Sequence, residues 1–443
     1  MTPDLPAPDA PADGPADGPA PPGGGHPAAW YALPHPHYTG GNDVALLRGG
    51  DELFPALAAA VETALHEVWL ATYIFHDDPA GEAMAGVLAR AAGRGVRVRL
   101  VVDGFGSHRA LPKLQQWLAG SGVSLMVFRP LERWWNWLQP GQMRRLHIKL
   151  CVVDGTIGFV GGINVIDDRN DLNHGWSDTP RLDFAVGLRG PVVAPIEQTV
   201  RALWTRAAFG HDWRAEVLSM ARSAEPIAQA RRLLGRLRIL PPPQPEAQAV
   251  ERPVRAAFLV RDNLRQRRAI ERAYIDAIRE AQLSVDIVCP YFYPGRSFRR
   301  ALVKAARRGV RVRLLLQGKV DYRFAGLAAR VLYDELLAEG VQIHEYMPAF
   351  LHAKAAITDG RWATVGSSNI DPLSLLLNLE ANVAIADEPF AQDLLRAFEL
   401  ALTQSRQVTV APYQTGAWAV LGRGFVAWVA HWYLRLAGQS GRY

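Results

Sequence analysis

Two stretches of the chain place a histidine two residues before a lysine, and the same residue types follow at the same spacing. His147-Ile148-Lys149 leads to Asp154, then Gly161, Gly162 and Asn164; His352-Ala353-Lys354 leads to Asp359, then Gly366, Ser367 and Asn369. In a strand, residues i and i+2 share a face, so each copy offers an imidazole beside an ammonium. If a two-fold relation brings the copies together, one pocket holds both histidines, both lysines and the amides of Asn164 and Asn369. Such a donor-rich cage suits the oxygens of a phosphate and the charge of a five-coordinate phosphorus. One imidazole can attack phosphorus while the other protonates the leaving oxygen, because histidine alone titrates near neutrality. That chemistry requires no metal-ligand cluster and no cofactor. The chain has only five lysines, Lys113, Lys149, Lys304, Lys319 and Lys354, so the two in this pattern read as a chemical choice within an arginine-rich protein.

The elements that must position these residues are themselves repeated. AVETALHEVWLATYIF leads into EAMAGVLARAAGRGVRVRLVVDG in the first half, and AYIDAIREAQLSVDIVCPYF leads into SFRRALVKAARRGVRVRLLLQG in the second. The string RGVRVRL recurs at Arg94–Leu100 and Arg308–Leu314. Apolar residues at helical spacing alternate with β-branched runs, so each copy reads helix, strand, helix, strand, helix, strand, then the strand opening with His-x-Lys. The fold class expected is α/β, with two repeated α/β units packed about a pseudo-two-fold axis around one shared site. The expected organisation is a Pro/Gly/Ala-rich tail over 1–38, a first unit over 39–238, a linker over 239–255, a second unit over 256–412 and an amphipathic aromatic segment over 413–443. The prolines of PPPQPEAQAVERP (Pro241–Pro253) forbid continuous helix and mark the linker.

Composition narrows the function classes. With 443 residues, 49% apolar and 21% charged, the chain is too long for a disulfide-stapled scaffold and too apolar to be mostly disordered. Cys151 and Cys289 lie in apolar runs and read as buried reduced thiols. The net charge is +6, and the first 27 residues carry four aspartates and no basic residue, so the remainder is near +10. That balance favours anionic partners. The N-terminus lacks the basic start and continuous apolar stretch of a signal peptide.

The duplicated pattern resembles the phospholipase D superfamily over about residues 39–412. Within it, GFVGGINVIDD, VGSSNIDPLSLLLNLEANV and LRGPVV resemble the bacterial cardiolipin synthases of the short type, without N-terminal transmembrane helices. The resemblance implies two-step phosphatidyl transfer through a phosphohistidine, with His147, Lys149, Asn164, His352, Lys354 and Asn369 in the pocket. By family analogy His147 is the nucleophile and His352 the general acid. Asp154 and Asp359 complete the catalytic motif, although the family implies a more structural than chemical role for them. Each motif histidine is expected to be oriented by a carboxylate, for which Asp183 and Glu380 stand at matching positions; ordinary strand-start carboxylates are the competing reading. Ser367 could contact phosphate, or serve a turn, since Gly162 replaces it in the other copy. One departure is Ile148, where such proteins often carry a basic residue.

The resulting expectation is a cardiolipin synthase that joins two phosphatidylglycerol molecules and releases glycerol. Its partners would be phosphatidylglycerol and anionic membrane lipid, with no nucleic acid, at the inner membrane as a peripheral protein. A phospholipase D-type lipid hydrolase or nuclease, and a non-catalytic membrane scaffold, are the alternatives. Three accessory segments bear on membrane contact. RWWNWLQPGQMRR (Arg133–Arg145) suits a bilayer interface or a loop over the pocket. ARRLLGRLR (Ala230–Arg238) suits anionic head groups or a solvated helix face. In Gly416–Tyr443, Trp418, Leu421, Phe425, Trp428, Trp432 and Leu436 form an apolar stripe that could lie in the interface or pack on the core.

Overall fold

The structure, a computed structural model, describes residues 36–130, 145–172, 175–209, 253–261, 266, 268–319, 333–371 and 378–409. The N-terminal tail through residue 35, nearly all of the Trp-rich insert and of the proline linker, Ala230–Arg238 and Gly416–Tyr443 lie outside the described residues.

The first half runs β1 (Thr39–Arg48), α1 (Gly49–Glu62), β2 (Glu67–Thr72), α2 (Pro79–Gly93), β3 (Arg97–Asp103), α3 (Leu111–Leu118), β4 (Ser124–Phe128), β5 (Leu150–Val153), β6 (Ile157–Gly161), a short pair β7 (Asn170–Asp171) and β8 (Gly175–Trp176), β9 (Phe184–Arg189) and α4 (Val193–Phe209). The second runs β10 (Val254–Arg261), α5 (Ala269–Glu280), β11 (Ser284–Cys289), α6 (Arg296–Arg307), β12 (Arg311–Gln317), α7 (Tyr333–Ala338), β13 (Gln342–Tyr346), β14 (Ala355–Thr358), β15 (Trp362–Gly366), β16 (Glu380–Ala386), α8 (Glu388–Thr403) and β17 (Ser405–Gln407). The α/β repeat read from the sequence is therefore present twice. Each half also includes strands that the patterning did not single out, β1 and β6 in one half and β10 and β15 in the other.

Strand order runs β4-β3-β2-β5-β6-β9-β1 and, from the other end, β17-β13-β12-β11-β14-β15-β16-β10, and the two series meet where β1 pairs antiparallel with β10. The order on one side of that seam is the mirror of the order on the other, apart from the extra β17. This is the pseudo-two-fold relation. At the seam the buried Asn42 gives its Nδ2 to Val254 O at 3.0 Å and accepts Val192 N at 2.8 Å.

Because side chains alternate across a strand, each sheet half contributes to two cores. In β2, Val68 and Leu70 face an outer cluster with α1 and α2, while Trp69 and Ala71 face an inner cluster. In the second half, Ile278, Leu302 and Val312 belong to the corresponding outer cluster. The inner cluster joins both halves, with Val152, Val186, Ile357 and Val383 packed among α4 and α8. The shared core holds the two motif strands at a fixed separation. Both cysteines are free and buried, and burial pushes the Cys289 thiol up to about 12.

Candidate active site

The histidine and lysine of each motif lie just before their strand rather than within it. β5 begins at Leu150 and β14 at Ala355, and the residues ahead of them leave their own sheet for the opposite half. His147 N donates to Leu379 O at 3.1 Å and Leu379 N donates to Arg145 O at 2.9 Å. Across the pseudo-dyad, His352 N and Ala353 N both donate to Leu182 O at 2.9 Å, and Leu182 N donates to Phe350 O at 3.0 Å. These backbone bridges set each motif beside the residue that follows Leu379 or Leu182. Those residues are Glu380 and Asp183.

The side chains therefore pair across the halves. His147 Nδ1 is 3.0 Å from Glu380 Oε2, and His352 Nδ1 is 2.6 Å from Asp183 Oδ2. An accepting carboxylate assigns the imidazole proton to Nδ1 and leaves Nε2 for the site. Lys149 Nζ donates to His147 O at 2.8 Å, and Lys354 Nζ donates to His352 O. Asn164 Oδ1 accepts Ile74 N at 3.2 Å, so its NH2 end is the one that can meet a ligand; Asn369 is likewise buried. Two imidazoles, two ammonium groups and two carboxylates thus form one cluster.

Burial dominates the electrostatics. Burial, and then Lys149, push His147 below the ordinary imidazole range against the pull of Glu380. Burial and Lys354 push His352 further down against Asp183. Asp183 is raised by burial, but His352 and Lys354 outweigh that and hold it below the usual carboxylate range. Burial lowers Lys149 to about 7 and Lys354 to about 8, only partly offset by Glu380 for the first and Asp183 for the second. These shifts poise the site to lose positive charge near neutrality. An entering phosphodiester anion reverses this, because an opposite charge at short range favours the protonated lysines.

The other motif positions are structural. Asp154 accepts Leu65 N, His66 N and Glu67 N at 2.7–2.8 Å, and Asp359 accepts Gln282 N, Leu283 N and Ser284 N at 2.7–2.9 Å. Both sit at the far end of the motif strand, about 17 Å of extended chain from the lysine. Both carboxylates are taken up by backbone N–H groups at that end. Asp154 caps the entry to β2 and Asp359 the entry to β11, each in a left-handed conformation, with φ of 49° and 52°. Ser367 also departs from the phosphate-contact reading. It is fully buried, donates from Oγ to Glu380 Oε2 at 2.5 Å and accepts Ala381 N at 3.0 Å. In the other half a Cβ on Gly162 would lie 2.3 Å from Asp183 Oδ1, so the missing side chain is what admits that carboxylate.

A family profile described as "Cardiolipin synthase, PLD-like domain" matches residues 57–175 and 274–401, one stretch per half. The chain belongs to this phospholipase D-like family. It is 36% identical over 355 residues to cardiolipin synthase B of Escherichia coli K12, covering 80% of this chain and 79% of that protein. It is 31% identical over 368 residues to cardiolipin synthase A of Pseudomonas entomophila, covering 83% and 70%. A crystal structure of phosphatidylserine synthase from Haemophilus influenzae shares the fold, with a TM-score of 0.59 at 14% identity, over 89% of this chain and 94% of that one.

This phospholipase D-like site also contains residues that the motif does not name. Asp103 Oδ2 accepts Leu146 N at 2.8 Å, and Gln317 Oε1 accepts Leu351 N at 2.6 Å, so each lead-in is anchored by the residue ending the third strand of its half. Both stand three residues after the RVRL string, and aligning the two repeats would have found them. Tyr73, whose ring lies 5.0 Å from that of His147, has no counterpart in the second repeat and leaves no such signal.

Proposed function

We propose that this phospholipase D-like protein, with units over 39–238 and 256–412, is a cardiolipin synthase. His147 Nε2 attacks the phosphorus of phosphatidylglycerol; the bond to the glycerol oxygen breaks, and His352, held as the imidazolium by the bound phosphodiester anion and Asp183, gives that oxygen its Nε2 proton. Lys149, Lys354, Asn164 and Asn369 hold the phosphoryl oxygens and the charge that builds on them. Glycerol leaves, and the hydroxyl of a second phosphatidylglycerol enters. His352 takes its proton, the new P–O bond forms, and the P–N bond to His147 breaks to release cardiolipin. Glu380 and Asp183 keep each Nδ1–H in place and steady the imidazolium that forms.

One observation carries the reading: each motif histidine is oriented by a carboxylate from the opposite half, so a single cluster holds a complete nucleophile and acid pair. The similarity to cardiolipin synthases A and B supports phosphatidylglycerol as donor and acceptor. Among the described residues no helix is long and apolar enough to cross a membrane, and we place the protein peripherally on the inner membrane, where its lipid substrate lies. Mass spectrometry of lipids from the purified protein with phosphatidylglycerol vesicles is the test. Cardiolipin with stoichiometric glycerol is expected; phosphatidic acid alone would make the protein a hydrolase instead.

A further inference from the structure

We propose that Tyr73 is a positioning residue for His147 and makes the two histidines of the site unequal, an inference that rests on the phosphoryl-transfer reading above. Tyr73 follows the last residue of β2. Its ring centroid lies 5.0 Å from that of His147 with the planes at 60°, and Lys149 Nζ is 5.5 Å from the same ring. Glu380 fixes where Nδ1 points but leaves the imidazole able to swing about that hydrogen bond. An aromatic ring packed against the imidazole removes the swing. The swing matters because attack requires Nε2 to hold an in-line approach at about 3–3.5 Å. Attack also turns the imidazole into a cation, and a ring placed beside it and beside Lys149 favours positive charge.

The loop after β3 is built around this tyrosine. Ser107 Oγ donates to Tyr73 O at 3.1 Å and accepts Phe75 N at 2.9 Å. A Cβ on Gly106 would lie 2.9 Å from the Tyr73 ring and 2.3 Å from its carbonyl oxygen, so glycine is what lets the ring sit there. Asp103 ties both parts together, because Oδ1 accepts Phe105 N and Gly106 N while Oδ2 accepts Leu146 N, the residue before His147. The second half offers no equivalent. Phe75 bridges Val165 as Phe292 bridges Ile370, and that register places Pro290 where Tyr73 stands. Among the described residues no aromatic ring packs on His352, whose side chain is 23% exposed against 13% for His147.

The test compares Tyr73→Phe, Tyr73→Leu and Tyr73→Met on bis(p-nitrophenyl) phosphate, a soluble diester whose cleavage does not depend on the lipid acceptor. Failure to make cardiolipin while this ester is cleaved would overturn the proposed function and leave the Tyr73 comparison readable. Tyr73→Phe is expected to keep kcat within about twofold, and the leucine and methionine variants to lose about tenfold in kcat with little change in KM. In histidine-labelled protein, which needs no turnover, the His147 ring resonance is expected to move in the leucine and methionine variants and stay in the phenylalanine variant, with His352 unmoved. Wild-type kcat in the leucine variant, a phenylalanine variant as slow as leucine, a loss confined to KM, or equal movement of His352 would each overturn the proposal.

Discussion

The two halves share one scaffold and build their histidine supports differently. In the first half Gly162 has no side chain, and the short carboxylate of Asp183 fills the space where a Cβ would stand. In the second, Ser367 occupies that position and staples the longer Glu380 through its hydroxyl. The lead-in anchors differ as well, a carboxylate at Asp103 against an amide at Gln317. What is common is the backbone: crossing bridges, the strand-capping aspartates and the histidine-to-carboxylate pairing across the dyad. The repeat preserves the path of the chain that brings the chemical groups together, while the groups supporting each imidazole differ.

The sharpest break of that comparison is removal of either imidazole. His147→Ala and His352→Ala should each lower turnover by at least about 10^3-fold, because attack and leaving-group protonation need both. Phosphoenzyme trapping then separates them. An adduct on His147 in the His352→Ala protein supports His147 as nucleophile, and one on His352 in the His147→Ala protein reverses the roles.

Gly162→Ala and Ser367→Ala probe the two supports. The added Cβ at Gly162 meets the Asp183 carboxylate at 2.3 Å and must displace it, so about 10–100-fold loss of kcat is expected. Ser367→Ala removes one hydrogen bond from Glu380 and should cost only about 3–10-fold. Equal losses in the two variants would show that the supports are interchangeable.

At the far end of the strands, Asp154→Asn should lower stability by about 1–2 kcal/mol, read as a lower melting temperature, because an amide cannot accept all three backbone N–H groups. The kcat of the folded fraction should hardly change. A large loss of kcat at unchanged stability would return Asp154 to the chemistry.

The smallest expected effects concern charge. Lys149 and Lys354, lowered to about 7 and about 8, lose protons from the free enzyme as pH rises through that range, so KM for an anionic diester should climb above about pH 8. The folded protein then binds fewer protons than the unfolded chain between about pH 7 and 10.4, so these lysines destabilise it most below pH 7, and that cost is relieved as pH rises. Their ammonium groups supply the positive charge at phosphorus, so activity in excess chelator should remain within about twofold of the untreated enzyme. A pH-independent KM, or loss of activity in chelator restored by a divalent ion, would count against this electrostatic picture.

The sequence by itself determined the repeat, the α/β class and the identity of His147, Lys149, His352 and Lys354, because periodicity and fixed spacing are local properties that duplication makes visible twice. It also pointed to Asp183 and Glu380 as carboxylates near the site. Which histidine each one serves was decided only by the tertiary structure, since the pairs span 169 and 233 residues and depend on backbone bridges between the halves. The same holds for Ser367, whose hydroxyl could face a ligand or a carboxylate until the strand opposite it is in place, and for Asp154 and Asp359, which share a motif with the histidines yet lie at the other end of the strand. For Tyr73 the sequence offers an aromatic residue after a strand, an ordinary core pattern. Only the folded loop from Asp103 to Ser107 turns that ring against an imidazole more than seventy residues away, because close packing is a property of surfaces that meet and not of neighbours along the chain.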